Sequence, residues 1–154
     1  MLVVKDTQQC LWESILPPEI LVLNTELSKV DTILDDDRFI RPFIKRFHTT
    51  TGRPTTPVDT YLRLMYLKFR YQLGYETLVQ EVDDSIKWRK FCYIPLDKKV
   101  PHSTTLIKLT NLYGSEIVEE LNHLLVQKAA EEKIIRGRSL RVDTTAVPSD
   151  IHYP

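Results

Sequence analysis

Two sets of side chains in this chain have the types and spacing that chemistry needs. The first is one carboxylate, Asp143, in the middle of Arg138-Ser139-Leu140-Arg141-Val142-Asp143-Thr144-Thr145-Ala146-Val147, which reads as a β-strand. Asp is disfavoured at a strand centre. Two explanations stand: a ligand for a catalytic metal, or a residue on a solvent-facing edge. A carboxylate that works on a metal or phosphate normally has partner carboxylates from elsewhere in the fold. The sequence ends soon after, at Pro154, so the expectation is the front of a longer enzyme. The second set is Thr104, Thr105, Lys108 and Asn111, on the outer side of a short helix whose Leu106, Leu109 and Tyr113 are spaced to face inward. Hydroxyls, an amide and a base without a carboxylate suit a DNA major groove. The helix N-terminal N–H groups and hydroxyls hold phosphates, and Lys and Asn reach base edges. An ordinary solvated helix face is the alternative.

These side chains need elements to hold them. Pro17-Pro18 opens a first helix, with Ile20, Leu23, Leu27, Val30 and Leu34 at helical spacing. Asp35-Asp36-Asp37 breaks it. A short amphipathic piece follows, with Phe39, Phe43 and Phe47 on a packed stripe and Arg38, Arg41, Lys45 and Arg46 on a wet face. Residues 49–57 read as a linker. Thr56 is then expected to cap, and Pro57 to begin, a central buried helix running to about Leu73 and ended by Gly74. On it, Asp59, Arg63, Tyr66 and Arg70 form the solvent or ligand stripe. Tyr75 to Val82 is a shorter helix with Leu78 and Val82 inward. Asp83, Asp84 or Ser85 caps the next, which carries Ile86, Trp88 and Phe91. Residues 94–101 form a loop fenced by two prolines. Ser103 is the expected N-cap of the helix bearing the polar row, closed by Gly114. From Ser115 a long helix sets Ile117, Val118, Leu121, Leu124, Leu125 and Ala129 on one side. Gly137 ends it, and the strand follows.

Composition narrows the class. Hydrophobic residues make up 42% of the chain, enough for a real core. Cys10 and Cys92 read as two reduced thiols rather than a disulfide framework. Neither a signal peptide nor a membrane span is recognisable, so the expected location is cytoplasmic. The formal net charge of +0 conceals segregation. From Met1 to Asp37 there are eight acids against two bases, from Arg38 to Arg70 eight bases against one acid, and from Lys87 to Lys108 six bases against one acid. Such blocks suit a protein whose middle meets a polyanion, or an ordinary charged surface. His48, His102, His123 and His152 lack metal-ligand spacing. Gly52-Arg53-Pro54 reads as a minor-groove arm or a plain linker.

Several motifs in order resemble the N-terminal domain of bacterial insertion-sequence transposases of the InsH-like branch of the DDE group. They are Gly52-Arg53-Pro54-Thr55-Thr56-Pro57, the helix Tyr61 to Tyr71, Leu73-Gly74-Tyr75-Glu76-Thr77-Leu78, Trp88-Arg89-Lys90-Phe91-Cys92, Ile94-Pro95-Leu96-Asp97, Pro101 to Thr110, and Arg141 to Val147. The resemblance implies a helical part that binds terminal inverted repeats in double-stranded DNA. It implies an RNase H-like part whose first strand carries the first Asp of a DDE triad, matched by Asp143, with Mg²⁺ as the full-length cofactor. The second Asp and the Glu are missing here, so no cofactor is expected for the chain as given. Leu112 departs from the family, where a basic residue stands.

The resulting expectation is a mainly α fold: a helical bundle with a helix-turn-helix-like DNA-binding module, then one terminal β-strand from an incomplete RNase H-like domain. The divisions are 1–50 (helical), 51–114 (DNA-binding), 115–137 (connecting helix) and 138–154 (first catalytic strand). Thr104, Thr105, Lys108 and Asn111 are the expected groove contacts. Arg53, Arg63, Arg70, Lys87, Arg89 and Lys90 are the expected phosphate contacts. The chain is expected to bind element-end DNA without cutting it. The alternatives are an oligomerisation module, forming a homodimer or poisoning full-length transposase through the long helix, and an inert remnant.

Overall fold

A computed structural model describes residues 1–6, 14–48, 50 and 52–131. The expected strand, with Asp143, lies outside the described residues, as do residues 132–137 of the expected connecting helix. The helices are α1 (Pro18–Leu21), α2 (Thr25–Leu34), α3 (Arg41–Arg46), α4 (Val58–Arg70), α5 (Tyr75–Asp84), α6 (Ile86–Phe91) and α7 (Ser103–Glu131), with a 3₁₀ turn at Asp37–Phe39 before α3. The described residues are mainly helical and contain no strand.

α4 sits at the centre. Val58, Leu64 and Leu67 are fully buried on it, and α2 and α5 pack against it. Phe43 of α3, Leu78 and Val82 of α5, Phe91 of α6, and Leu106 and Ile117 of α7 join the same core. The aromatic stripe packs as its spacing predicts: Phe39 and Phe43 are buried and Phe47 is half-buried. Asp36 breaks the chain after α2 by accepting from the Arg38 N–H (2.9 Å) at the start of the 3₁₀ turn. Ser85 caps α6 through a bond from the Trp88 N–H (3.2 Å).

Several boundaries differ from expectation, each for a local reason. The first helix is two helices, because Asn24 caps α2 afresh by accepting from the Leu27 N–H (2.7 Å). Thr56 does not cap α4, and Pro57 precedes the helix rather than beginning it. The N–H groups of Val58 and Asp59 are taken instead by the carbonyls of Val3 (2.9 Å) and Val4 (3.2 Å). Residues 1–6 form a strap across this region, with Lys5 paired to Asp35 and Asp6 to Lys98. At the other end, α4 stops at Arg70, and Gln72 rather than Gly74 takes the left-handed conformation (φ 54°). Gly74 has φ −69° and opens α5.

Ser103 lies inside α7 and is buried. The preceding His102 supplies the cap, its carbonyl accepting from Thr105 N–H (2.9 Å) and its ring Nδ1 from Thr104 N–H (3.3 Å). Gly114 interrupts α7 with φ 73° and ψ 175°, so two helical segments meet there at a kink. Past it, Ile117 is buried, but Val118 and Leu125 are exposed and do not face the core as expected. Lys128 anchors the far end, donating to the Ile33 carbonyl (2.9 Å) at the end of α2, where a cation complements the helix terminus. Beside it, Arg38 pairs with Glu131 (2.9 Å).

Candidate nucleic-acid interface

The first segment of α7, up to Gly114, is held from below by an aromatic nest. The Tyr113 ring meets Phe43, Phe47 and Tyr61 edge-on, with centroids 4.8, 5.3 and 5.0 Å away. One turn earlier, the Thr110 hydroxyl is within hydrogen-bond distance of Tyr61 OH (3.0 Å) and Tyr75 OH (3.1 Å), and donates to the Leu106 carbonyl (2.9 Å). Leu106, Leu109 and Tyr113 are buried, as their spacing predicts. Burial pushes the Tyr113 phenol up to about 12, against a smaller opposing effect of the nearby Thr55 hydroxyl, and among the described residues its oxygen makes no hydrogen bond of normal geometry. Removing an unsatisfied buried group relieves a desolvation cost. Tyr113→Phe is therefore expected to leave stability unchanged or raise it by up to about 1 kcal/mol, read as the urea midpoint. A loss larger than that would mean the hydroxyl is partnered in solution.

Thr104, Thr105, Lys108 and Asn111 all emerge exposed on the opposite side. The Thr104 hydroxyl lies 3.0 Å from His102 Nδ1, so the row begins with a braced hydroxyl. Ile107 and Leu112, 40% and 57% exposed, share this surface, and sequence periodicity did not single them out as contacts. An apolar side chain beside a groove-reading row suits a thymine methyl. Their signal was apolar residues outside the inward spacing of Leu106, Leu109 and Tyr113. Residues 92–102 connect α6 to α7, longer than the roughly three- or four-residue turn of a helix-turn-helix.

The expected phosphate contacts divide sharply. Arg53 is exposed in the linker, and neighbouring Thr55 and His48 share a hollow of about 200 Å³ with Leu112 and Tyr113, which brings the linker alongside α7. Lys87 is exposed and Lys90 half-buried on α6. Arg70 is exposed but ion-paired with Glu26, whose carboxyl is held below its usual range by the bonds from Arg70 and Tyr66. It edges a different surface, between α4 and the second segment of α7.

Arg63 and Arg89 are not at the surface, and the expectation for both is corrected. Arg63 is 0% exposed. Its Nη2 and Nε donate to Asp31 of α2 (2.8 and 3.1 Å), and its Nη1 forms an ion pair with buried Asp59 one turn earlier. The Asp59 carboxylate accepts no hydrogen bond of normal geometry among the described residues, so this charge contact is what compensates its burial. Tyr93 covers the guanidinium at 4.1 Å and donates to Asp31 (2.9 Å). Arg63 thereby joins α2, α4 and the loop after α6. Its solvent-stripe neighbour Asp59 is likewise buried (1% exposed).

Arg89 serves the loop that delivers α7. It donates to the carbonyls of Asp83 (3.2 Å), Pro95 (3.2 Å) and Lys98 (2.9 Å), and pairs with the Asp83 carboxylate. Three carbonyls satisfied by one planar fork is geometry that Lys does not reproduce. Arg89→Lys is therefore expected to lose stability nearly as Arg89→Ala does, by about 1–3 kcal/mol. Rescue by Lys would mean that charge alone matters there.

Among the described residues, no group of three or more His, Cys, Asp or Glu side chains is arranged to hold a metal ion. No helix there is long and apolar enough to cross a membrane. No curated protein and no solved structure matches the chain. A family model described as Transposase domain (DUF772) matches residues 18–112, which takes in α1 to α6 and the polar row of α7. On that match the chain belongs to the transposase domain family, and its role lies in transposition.

Proposed function

We propose that this region binds the terminal inverted repeats of an insertion sequence, with the first segment of α7 entering the major groove. The observation that carries the reading is the exposed row Thr104, Thr105, Lys108 and Asn111 on a segment whose other side is locked by Leu106, Leu109 and Tyr113. A rigid back and a polar, carboxylate-free front are what base readout needs. Arg53, Lys87 and Lys90 then supply phosphate contacts around it. The helix-turn-helix likeness lies in compact helices preceding a reading helix, not in the length of the connection. Asp143 is the residue on this reading that would join a Mg²⁺ site in a full-length enzyme.

A binding titration tests this reading. The purified chain is mixed with the element's terminal repeat, or with a scrambled duplex of equal length, at two salt concentrations. Preference for the repeat that survives higher salt is expected. Equal binding that vanishes with salt would reduce the basic blocks to a nonspecific polyanion surface.

A further inference from the structure

The strap of residues 1–6 also grips the linker that carries Arg53. It is anchored at both ends: Leu2 enters the core (5% exposed), while Lys5 pairs with Asp35 (2.8 Å) and Asp6 with Lys98 (2.6 Å). Along this path the Arg53 carbonyl accepts from the Met1 nitrogen (2.8 Å), and the Thr55 N–H donates to the Met1 carbonyl (3.0 Å). The Val3 N–H donates to the Thr55 hydroxyl (3.3 Å), and the Leu2 N–H to the His48 carbonyl (2.8 Å) just before the linker. Among the described residues, no other backbone hydrogen bond fixes residues 52–56. Gly52 marks how close the two segments come. It has φ 104°, and a Cβ there would stand 3.0 Å from the Met1 nitrogen. A side chain at that position would strain the linker and push it off the strap.

We propose that the strap is a positioning element for DNA binding: Leu2 and the backbone of residues 1–3 hold Arg53 toward a phosphate beside the first segment of α7. This rests on the DNA reading above and adds residues that act through Arg53. A linker with one glycine and two prolines has no helix or strand to fix its path. An untethered arm loses freedom when it binds, whereas one already bonded in place loses less. The hollow of about 200 Å³ lined by Met1, Leu2, His48, Thr55 and Leu112 sets strap, linker and the exposed Leu112 of α7 side by side. Arg53 is exposed on that linker. It lies inside the matched residues 18–112, and the strap lies outside them. A contact made by the transposase domain is thus tuned by residues that precede it.

The test measures affinity for the terminal repeat across a salt series, for the wild-type chain, Arg53→Ala, Leu2→Ala and their double variant. Gly52→Ala displaces the linker from its own side and leaves Leu2 in the core, so it decides the matter if Leu2→Ala does not fold. Each variant is checked by circular dichroism. Arg53→Ala is expected to weaken binding several-fold and to lower the slope of log affinity against log salt by about 1. Leu2→Ala and Gly52→Ala should lose affinity and slope in the same direction, and Leu2→Ala should add nothing to Arg53→Ala. A variant that is only less folded lowers apparent affinity and leaves the slope as it was. Wild-type slopes in Leu2→Ala and Gly52→Ala, or losses that add to that of Arg53→Ala, overturn the proposal. So does Arg53→Ala binding as tightly as wild type, although preference for the repeat, and with it the DNA reading, would survive that result. A wild-type chain without preference for the repeat ends both.

Discussion

Replacing Arg63 with Ala is expected to cost the domain about 3–5 kcal/mol, a large share of the roughly 5–15 kcal/mol that holds a typical domain folded. Removing the guanidinium leaves Asp59, 1% exposed, as a buried charge with no compensation. It also deprives Asp31 of two hydrogen bonds and Tyr93 of the cation beneath its ring. Most of the loss is the penalty on the orphaned carboxylate rather than the worth of the pair. The double variant Arg63→Met, Asp59→Leu removes that penalty, and is expected to recover much of the stability lost in the single variant. The measurement is a urea unfolding series on the two singles and the double, read as a coupling energy. A single-variant loss below about 1 kcal/mol would place Arg63 in the ordinary surface class.

The second large effect concerns binding. Lys108→Ala and Asn111→Ala each remove a side chain that reaches base edges under the proposed function. Each is expected to cost about 1–3 kcal/mol of preference for the terminal repeat over a scrambled duplex. In combination, with no contact between them shown, the losses should be close to additive. Binding to the scrambled duplex should fall less, because phosphate contacts supply nonspecific affinity. Lys87→Ala is the contrasting variant: it should weaken both duplexes alike and flatten the salt dependence. Unchanged preference in the Lys108 and Asn111 variants, with the chain folded, would remove α7 from the reading surface.

The pattern of this chain was legible where one neighbour decides the outcome. Leu78 and Val82, and Leu106, Leu109 and Tyr113, face inward because periodicity alone specifies a helix face. Ser85 caps α6 because the hydroxyl needs only the next turn. The reading failed where a distant segment competes. Thr56 lost its capping role to the carbonyls of Val3 and Val4, which lie more than fifty positions away in the chain. Arg63 looked like a surface base because Asp59 and Arg63, four apart, have the spacing of a solvated ion pair as much as of a buried one. What buries them is Asp31 and Tyr93, each about thirty residues off. Arg89 is hidden from sequence in the same way, since three of its acceptors are backbone carbonyls and carry no residue signature. In the candidate site, the exposure of Thr104, Thr105, Lys108 and Asn111 was readable, whereas their grouping with Ile107, Leu112 and the linker needed the folded chain.

One backbone position separates two faces of the last helix. In an unbroken α-helix each residue adds about 100° of rotation, so the direction of any side chain dictates that of every other. At Gly114 the chain takes φ 73° and ψ 175°, a combination essentially confined to glycine. Nothing lies within 4 Å of where a Cβ would stand, so any strain on substitution comes from the backbone alone. The helical phase therefore restarts at that residue. A residue added or lost after Gly114 would swing Val118 and Leu125 around their axis while Lys108 and Asn111 kept their heading. The orientation of one face relative to the other is thus a quantity that a single dihedral pair can retune, without rebuilding either face.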